Sequence, residues 1–363
     1  MTSLRQRIPA PALATLTAAA LGAVLAGCGS SDPATSGDTS DGGTVTLVTH
    51  DSFNVSDEVL QRFTEQTGLE VEVLRGGDAG TVVNQAILTK DNPQGDVLFG
   101  VDNTLLSRAL DEGVFAPYEA AGLDGVRDDL TTDDRHRVTP VDYGDVCVNY
   151  DRSYFAEHDL AVPTTFDDLA DPAYRDLLVV QNPATSSPGL AFLLGTVAEY
   201  GQDGWQDYWS RLADNGVEVV DGWEEAYNTR FSGAAGSQGD RPLVVSYASS
   251  PPAEVIYAET KPDQAPTGVV TGTCFRQVEY AGLLEGAANP EGGQQLIDFL
   301  LSDEFQRDMP LQMFVNPAVD GTELPEEFTA YSEQPERSHS LDPALITENR
   351  DQWIEDWTGV VLR

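Results

Sequence analysis

The sequence is poor in basic side chains, and it lacks the short motifs of common enzymes. Of 363 residues, 20 are lysine or arginine and 60 are aspartate or glutamate, which gives a net charge of −40. A chain this acidic repels phosphate backbones, so nucleic acid is excluded as a partner. The sequence contains no Gly-x-Ser-x-Gly, P-loop, dinucleotide-binding or His-Glu-x-x-His motif. The common catalytic signatures are therefore missing, and no enzyme is predicted.

Cysteine and histidine are also scarce, and neither is spaced as in a metal or redox site. The three cysteines form no Cys-x-x-Cys pair and the four histidines are scattered, so no zinc or redox site is predicted. Two of the cysteines, Cys147 and Cys274, lie in apolar runs typical of strands. Disulfides persist outside the cytoplasm, and we hypothesise that these two residues are bonded to each other.

The first 43 residues have the pattern of an export leader followed by a tether. Arg5 and Arg7 precede an alanine-rich and leucine-rich run, and small residues before Cys28 resemble a bacterial lipobox, whose cysteine is lipidated. We predict a signal peptide over residues 1–27 and a flexible tether over residues 28–43, which lack large apolar side chains. The alternative is an ordinary buried cysteine behind a transmembrane anchor. The leader indicates a protein held to the outer face of the cell membrane by a lipid.

Beyond the tether, strand patterns alternate with helix patterns. Such alternation predicts an α/β fold in which each sheet is mixed, mostly parallel and flanked by helices. Strands are predicted at 44–49, 71–74, 96–100, 177–180, 217–220, 242–247 and 271–280. Helices are predicted between Ser56 and Gly68, at 81–88, after a cap at Asn103 or Thr104, after a cap at Thr165, and at 190–200, 205–212 and 289–305.

The length of this part of the chain predicts two lobes, because it exceeds what one hydrophobic core usually holds. Lobe 1 is predicted over residues 44–145 and 275–337, and lobe 2 over residues 146–274. A C-terminal segment, 338–363, is expected to pack on lobe 2. Two chain crossings between the lobes would form a two-strand hinge, with a ligand cleft beyond the carboxyl ends of the strands.

One stretch is typical of a ligand-binding surface. Residues 221–227, Asp-Gly-Trp-Glu-Glu-Ala-Tyr, place the ring of Trp223 on a glycine turn among carboxylates. An aromatic face attracts cations, so the stretch favours a flat, positively charged ligand. The alternative is that Trp223 packs in a core, as most tryptophans do, while Glu224 and Glu225 face solvent.

Six motifs, in this order along the chain, resemble the periplasmic thiamine-binding proteins of bacterial ABC transporters. The motifs are Thr-His-Asp-Ser-Phe at 49–53, Gly-Val-Asp-Asn at 100–103, Val-Asp-Tyr-Gly at 141–144, Thr-Ser-Ser-Pro-Gly at 185–189, Gly-Trp-Glu-Glu-Ala-Tyr at 222–227 and Ser-Tyr-Ala-Ser-Ser-Pro at 246–251. The resemblance covers residues 44–360. It implies a two-lobed type II periplasmic-binding-protein fold, from a superfamily that also holds ferric-ion and polyamine binders.

The resemblance also implies a function and its partners. It indicates a monomeric receptor that captures thiamine, and its phosphates, and delivers them to an ABC permease and its cytoplasmic ATPase. Thiamine would be the transported ligand, so no resident cofactor or metal is expected. The only membrane contact of the receptor itself would be its lipid anchor.

Carried over by motif, the resemblance assigns ligand-binding residues in both lobes. Asp78, with Ala79, would hold the aminopyrimidine, whose amine donates hydrogen bonds to a carboxylate. Ser186 and Ser187 would meet the hydroxyethyl end or a phosphate at a positive helix start, and Trp223 would stack on a ring of the ligand. The alternatives remain open: Asp78 as a turn aspartate bonding its own backbone, and the serines as a simple helix cap.

The resemblance adds Tyr247, Ala248, Ser249 and Ser250, at the end of a strand, to the residues against the ligand. Ferric-binding relatives present adjacent tyrosines at this place. Here alanine follows Tyr247, which disfavours iron.

The sequence departs from the family pattern at two positions. His50 and Ala253 stand where the family often has aromatic residues, and Tyr257, one helical turn beyond Ala253, is a candidate to compensate. Another organic cation such as a polyamine is therefore an alternative ligand. A thiaminase-like enzyme is a third alternative, and it would need a free, activated cysteine in the cleft.

Overall fold

The computed structural model describes residues 43–258 and 260–362. The predicted signal peptide, Cys28 and the tether up to residue 42 lie outside the described residues. Within the described part, the chain forms one mixed sheet of ten strands. The strands are β1 (Thr44–Thr49), β2 (Glu70–Arg75), β3 (Val97–Asp102), β4 (Phe115–Ala116), β5 (Thr139–Asp151), β6 (Leu178–Gln181), β7 (Glu218–Val220), β8 (Leu243–Tyr247), β9 (Thr267–Leu284) and β10 (Asn316–Pro317).

Helices flank this sheet. They are α1 (Asp57–Thr67), α2 (Ala79–Leu88), α3 (Leu106–Asp111), α4 (Arg152–Glu157), α5 (Phe166–Leu169), α6 (Ser187–Tyr200), α7 (Trp205–Asp214), α8 (Trp223–Glu225), α9 (Pro251–Ile256), α10 (Pro290–Leu300), α11 (Asp303–Gln312), α12 (Glu326–Tyr331) and α13 (Pro343–Val361). A π-helical turn, Ala226–Arg230, continues α8. Among the described helices, none combines the length and the apolar character needed to cross a membrane.

Two long antiparallel strands, β5 and β9, run through the middle of the sheet. The strand order is β2-β1-β3-β9-β5-β8-β6-β7, so β1–β3 lie on one side of this pair and β6–β8 on the other. The pairs β1–β2, β1–β3, β6–β7 and β6–β8 are parallel, whereas those made by β5 and β9 are antiparallel. The predicted two-lobed α/β fold is confirmed. The residue boundaries of the lobes stay a prediction.

A disulfide joins the two crossing strands. The sulfurs of Cys147 on β5 and Cys274 on β9 are 2.03 Å apart, and both residues are fully buried. The bond closes a loop between residues 127 positions apart. Neither cysteine is therefore a free thiol.

Local signals place several elements where the sequence predicts them. β1 spans Thr44–Thr49, and α1 begins after Ser56 and ends at Gly68, whose φ of 75° is readily adopted by glycine. Thr165 caps α5 in a capping box with Asp168.

Two predicted helices are wrong in their boundaries. The helix expected after a cap at Asn103 or Thr104 begins only at Leu106, because Asp102 accepts hydrogen bonds from the Thr104 hydroxyl and amide and holds this segment as a turn. The single helix expected over residues 289–305 is two helices. Ser302 interrupts it and caps α11, with its Oγ accepting from the amide of Phe305.

The C-terminal helix packs on α7. The ring of Trp357 meets that of Trp209 edge-on, with centroids 5.4 Å apart, and both residues are buried. This contact ties the last described helix to the part of the chain predicted as lobe 2.

Candidate functional site

A cavity of about 470 Å³ opens between the two sides of the β5–β9 pair. Its walls include residues from the loop after β1, the start of α2, the start of α6, α8 and its π-helical turn, the end of β8, α9, β9 and the segment after α11. Six predicted site residues line it, and three do not. Those that line it are Asp78, Ala79, Ser187, Trp223, Tyr247 and Ser250.

Asp78 joins the two sides of the cavity. It caps α2, where its Oδ1 accepts a hydrogen bond from the amide of Ala79 at 2.7 Å. The same carboxylate also accepts from the amides of Ser187 at 3.3 Å and Trp223 at 2.9 Å, which belong to the opposite side. Burial raises the pKa of Asp78 to about 6, while these hydrogen bonds act in the opposite direction. Asp78 thus bonds its own backbone, as the alternative interpretation expected, and it also makes contacts across the cavity.

The start of α6 is already occupied by acceptors from the protein. Ser186 caps the helix, with its Oγ 3.4 Å from the amide of Gly189, while the amide of Ser187 donates to Asp78. Position 188 is proline, which has no N–H. The anion expected at this helix start is therefore the carboxylate of Asp78. Ser187 lines the cavity, whereas Ser186 is buried beside it.

Trp223 and Tyr227 form a stacked aromatic pair in the cavity wall. Their ring centroids are 4.9 Å apart with an interplanar angle of 14°. The indole Nε1 donates to Ser246 Oγ at 2.9 Å, so the ring orientation is fixed by a hydrogen bond as well as by stacking. The Tyr227 hydroxyl donates to Glu254 at 2.9 Å. The pair therefore presents a rigid aromatic surface to the cavity, and the carboxyl of Glu254 holds Tyr227 in place.

The residues at the end of β8 divide into two groups. Tyr247 and Ser250 line the cavity; the Tyr247 hydroxyl donates to Gln277 Oε1 at 2.8 Å, and Ser250 Oγ accepts from the amide of Tyr247 at 3.1 Å. Ala248 is buried beside the disulfide, and the Ser249 hydroxyl donates to the carbonyl of Phe314 at 2.6 Å. These two lie behind the cavity surface and hold neighbouring segments in place.

The positions that depart from the family pattern also lie in the cavity wall. His50 is 5.8 Å from the Phe99 ring, and burial lowers its pKa to about 4, so it is neutral at physiological pH. Ala253 lines the cavity, and so does the exposed Tyr257, whose ring meets Phe314 edge-on at 6.0 Å. Tyr257 is therefore placed where it can add an aromatic surface.

Two buried carboxyls in the cavity wall escaped the sequence analysis. Glu254, on α9, is 4% exposed and burial raises its pKa; Glu279, on β9, is 8% exposed and burial raises its pKa to about 8. For Glu279, the sequence did contain a signal of burial, because this glutamate lies in an apolar strand between Val278 and Tyr280. Among the residues lining the cavity, which are all described, Arg75 is the one arginine and there is no lysine.

The described residues contain no group of three or more histidine, cysteine, aspartate or glutamate side chains placed to hold a metal ion. The cavity itself has flat aromatic walls, neutral hydroxyl groups and more carboxyl groups than basic groups. That chemistry suits a flat organic ligand with positive charge and hydrogen-bond donors.

A two-lobed α/β fold with such a cleft at the junction defines a solute-binding protein. A model of the family described as bacterial extracellular solute-binding protein matches residues 92–334, and the chain belongs to that family. The predicted membership of the type II solute-binding superfamily is thereby confirmed.

Similar proteins are named as periplasmic binding proteins. The thiamine-binding periplasmic protein of Escherichia coli is 29% identical over 327 residues, covering 88% of this chain and 94% of the relative. That of Brucella suis is 28% identical over 330 residues, covering 88% and 92%. A solved periplasmic thiamin binding protein superposes with a TM-score of 0.78 at 27% identity, covering 89% and 97%. All three are named as binding proteins, in agreement with the predicted non-enzymatic role.

Proposed function

We propose that this protein captures thiamine outside the cytoplasm and delivers it to the permease of an ABC importer. The observation that carries the proposal is the stacked Trp223–Tyr227 pair in a cavity with excess carboxyls. Thiamine has two flat heterocycles, one of them a cation, and an amine that donates hydrogen bonds. The relatives named as thiamine-binding proteins, which cover most of the chain, support this choice.

The two sides of the cleft would share the ligand. Trp223 stacks on a ring of thiamine, and Asp78 accepts from its amine while still bonded to the amide of Trp223. Tyr247, Ser250 and Ser187 supply neutral polar contacts at the cavity surface. Closure of the lobes would exclude water from these groups and strengthen their electrostatic attraction to the cation.

Thiamine phosphates are proposed as second, weaker ligands. The amides at the start of α6 are engaged by Asp78 and Ser186, so a phosphate would depend on Arg75, which is exposed and donates to the carbonyl of Phe53 at 2.9 Å. The acidic cavity opposes the added negative charge. We therefore expect thiamine to bind more tightly than its diphosphate.

A polyamine is the second candidate, because the buried Glu254 and Glu279 add carboxyls that a polyamine would use. The ordered aromatic pair argues against a polyamine, because a flexible aliphatic chain has no flat ring to stack on it. The thiaminase-like alternative lacks its nucleophile among the described residues, since Cys147 and Cys274 are bonded to each other.

We further propose that the mature protein lies on the outer face of the membrane as a monomer, anchored through a lipid on Cys28. Its partners would be the permease and the ATPase of the importer. Mass spectrometry of the membrane fraction tests the anchor: a lipidated N-terminal Cys28 is expected, and an unmodified, released chain contradicts it.

Calorimetry of the full chain with thiamine, thiamine diphosphate, spermidine and Fe(III) tests the ligand. Thiamine is expected to give saturable heat and a rise in Tm, the diphosphate a weaker signal, and Fe(III) none. Absence of both heat and thermal shift with thiamine would refute the proposed function. Tighter binding of spermidine would favour the polyamine candidate instead.

A further inference from the structure

Three buried carboxyls stand side by side across three neighbouring strands at the cavity. Glu279 on β9 is directly opposite Asp102 on β3 and directly opposite Asp142 on β5. Residues directly opposite in antiparallel pairs project from the same face of the sheet with their Cβ atoms about 5 Å apart. Asp102 and Asp142 are fully buried, and Glu279 reaches the cavity.

The three carboxyls differ in their hydrogen-bond partners. Asp102 accepts from the hydroxyl of Thr104 at 2.6 Å, from the amides of Thr104 and Leu105 at 3.2 Å, and from Gln277 Nε2. Among the described residues, neither oxygen of Asp142 has a donor. The nearest basic atom to Glu279 is Nε2 of His50, at 3.7 Å. Asp102 is therefore the carboxyl of the row with hydrogen-bond donors, although burial still raises its pKa, and the other two carboxyls have no donor among the described residues.

Protonation of Asp142 and Glu279 resolves this conflict. Two like charges directly opposite each other in a sheet repel, and burial without donors adds a large desolvation cost. Burial and the charges of Asp102 and Asp78 raise the pKa of Glu279 to about 8, while its hydrogen bond with Asp142 acts in the opposite direction. Burial and the charge of Glu279 raise the pKa of Asp142 well above its usual range, so Asp142 keeps its proton when Glu279 ionises and donates a hydrogen bond to that carboxylate.

The groups around the pair do not neutralise it. His50, from the loop after β1, is neutral because burial lowers its pKa to about 4. Tyr247, from the end of β8, is kept neutral because burial raises its pKa. Asp78, from the start of α2, adds negative charge above its pKa of about 6. Arg75, also in the cavity wall, bonds the carbonyl of Phe53, and no described arginine or lysine forms a salt bridge with Glu279 or Asp142.

We propose that the carboxylate of Glu279 binds the positively charged heterocycle of the ligand, and that the proton Glu279 holds in the free protein passes to solvent on binding while Asp142 keeps its own. The ligand cation replaces the proton as the neutralising charge, so the charge in the cavity is conserved. This inference rests on the proposed function, since it takes thiamine as the cation.

Proton release makes affinity depend on pH in a defined direction. Between about pH 6.5 and 8 the free protein holds the proton and the complex does not, so binding tightens as pH rises, by as much as roughly tenfold per unit. Above the pKa of about 8 Glu279 is already ionised in the free protein and the dependence levels off. Asp78, with its pKa of about 6, titrates below this window.

Calorimetry of the full chain with thiamine, in Hepes and in Tris at the same pH, measures the protons released. We expect close to one proton per thiamine at pH 7 and well under half of one at pH 8.5, where both buffers still work. Binding of thiamine without proton release at pH 7 would overturn the inference.

Four variants separate the roles. Glu279→Gln keeps the shape but cannot ionise; it is expected to bind thiamine at least tenfold more weakly at pH 8.5, with a flat profile above about pH 7, where Asp78 is already ionised. Asp142→Asn keeps a hydrogen-bond donor beside Glu279 and should leave the profile close to that of wild type, whereas Asp142→Leu removes the donor and should move the midpoint up. Glu285→Gln, on an exposed side chain just beyond β9, loses the same charge and should behave as wild type. Wild-type affinity and pH profile in Glu279→Gln would contradict the proposal.

The free protein gives an independent measurement. A carboxyl whose pKa is raised on folding binds more protons in the native state, so stability falls as pH rises from about 5 to 8. The Tm of wild type is expected to fall over this range more steeply than that of Glu279→Gln. Equal slopes would refute a protonated Glu279 in the folded protein. If wild type binds no thiamine, the proposed function and the ligand role of Glu279 both fail, and the slope difference still decides whether Glu279 is protonated in the folded protein.

Discussion

At the scale of single residues, the cleft depends on side chains whose orientation is fixed by more than one contact. Trp223 stacks on Tyr227, donates through Nε1 to Ser246, and donates through its amide to Asp78. A ring held in this way loses little conformational freedom when a ligand stacks on it. Pre-organisation of this kind increases affinity because the ordering cost is met on folding.

We predict that Trp223→Ala weakens thiamine binding at least tenfold without unfolding the protein. The loss combines a cation–π attraction of about 0.5–2 kcal/mol with the buried aromatic surface. Titration calorimetry measures the affinity, and circular dichroism checks the fold. Trp223→Phe is the matched variant: it keeps a ring and loses the Nε1 donor, so its loss should be smaller. Unchanged affinity in Trp223→Ala would contradict the stacking role.

At the scale of elements, the starts of two helices meet across the cleft. The amide of Thr81, in the first turn of α2, donates to the carbonyl of Thr185 at 3.0 Å, next to the bonds that Asp78 makes. Gly80 makes this approach possible, because a Cβ at this position would lie 2.5 Å from the Thr185 oxygen. The contact joins the loop before α6 to α2 and thereby brings Asp78 to Ser187.

Gly80→Ala is expected to weaken thiamine binding more than tenfold while leaving the fold intact. Alanine favours the helix, but its methyl group would collide with backbone at Thr185 and hold the two sides apart. Titration calorimetry tests the affinity, and small-angle scattering with thiamine tests closure. Gly359→Ala, in α13, is the control, since no atom lies within 4 Å of its added Cβ. Wild-type affinity in Gly80→Ala would show that this approach is not needed for binding.

At the scale of the whole molecule, the excess of negative charge surrounds a cleft that itself contains carboxyls. With 60 acidic and 20 basic residues, the protein produces a negative potential that attracts cations over distances comparable to the Debye length. Solubility alone would also explain an acidic surface. If the ligand is a cation, the negative charge also increases the rate at which the ligand meets the protein.

The association rate constant of thiamine is therefore predicted to fall several-fold when NaCl is raised from about 10 mM to about 500 mM, because salt screens the attraction. Stopped-flow tryptophan fluorescence measures the rate. Thiamine diphosphate, which carries negative charge, should show the opposite trend or none. A thiamine rate independent of salt would mean that the net charge serves solubility only.

Local sequence signals predicted much of this fold because they act within one or two helical turns. Ser56 and Gly68 bound α1, and Thr165 caps α5, since caps involve neighbours in the chain. The errors arose where a side chain redirected the backbone locally, as Asp102 does before α3 and Ser302 does between α10 and α11. Periodicity of apolar residues did not reveal these interruptions.

The sequence by itself determined the α/β class, the acidic character, the family resemblance and six of the residues that line the cavity. Only the tertiary structure decided how these residues work together. Asp78 occupies the start of α6 because the two helix starts meet, and Glu279 faces Asp102 and Asp142 because β3, β9 and β5 pair in one register. These residues are far apart in the chain, so their interactions depend on strand order and pairing, which no local pattern encodes.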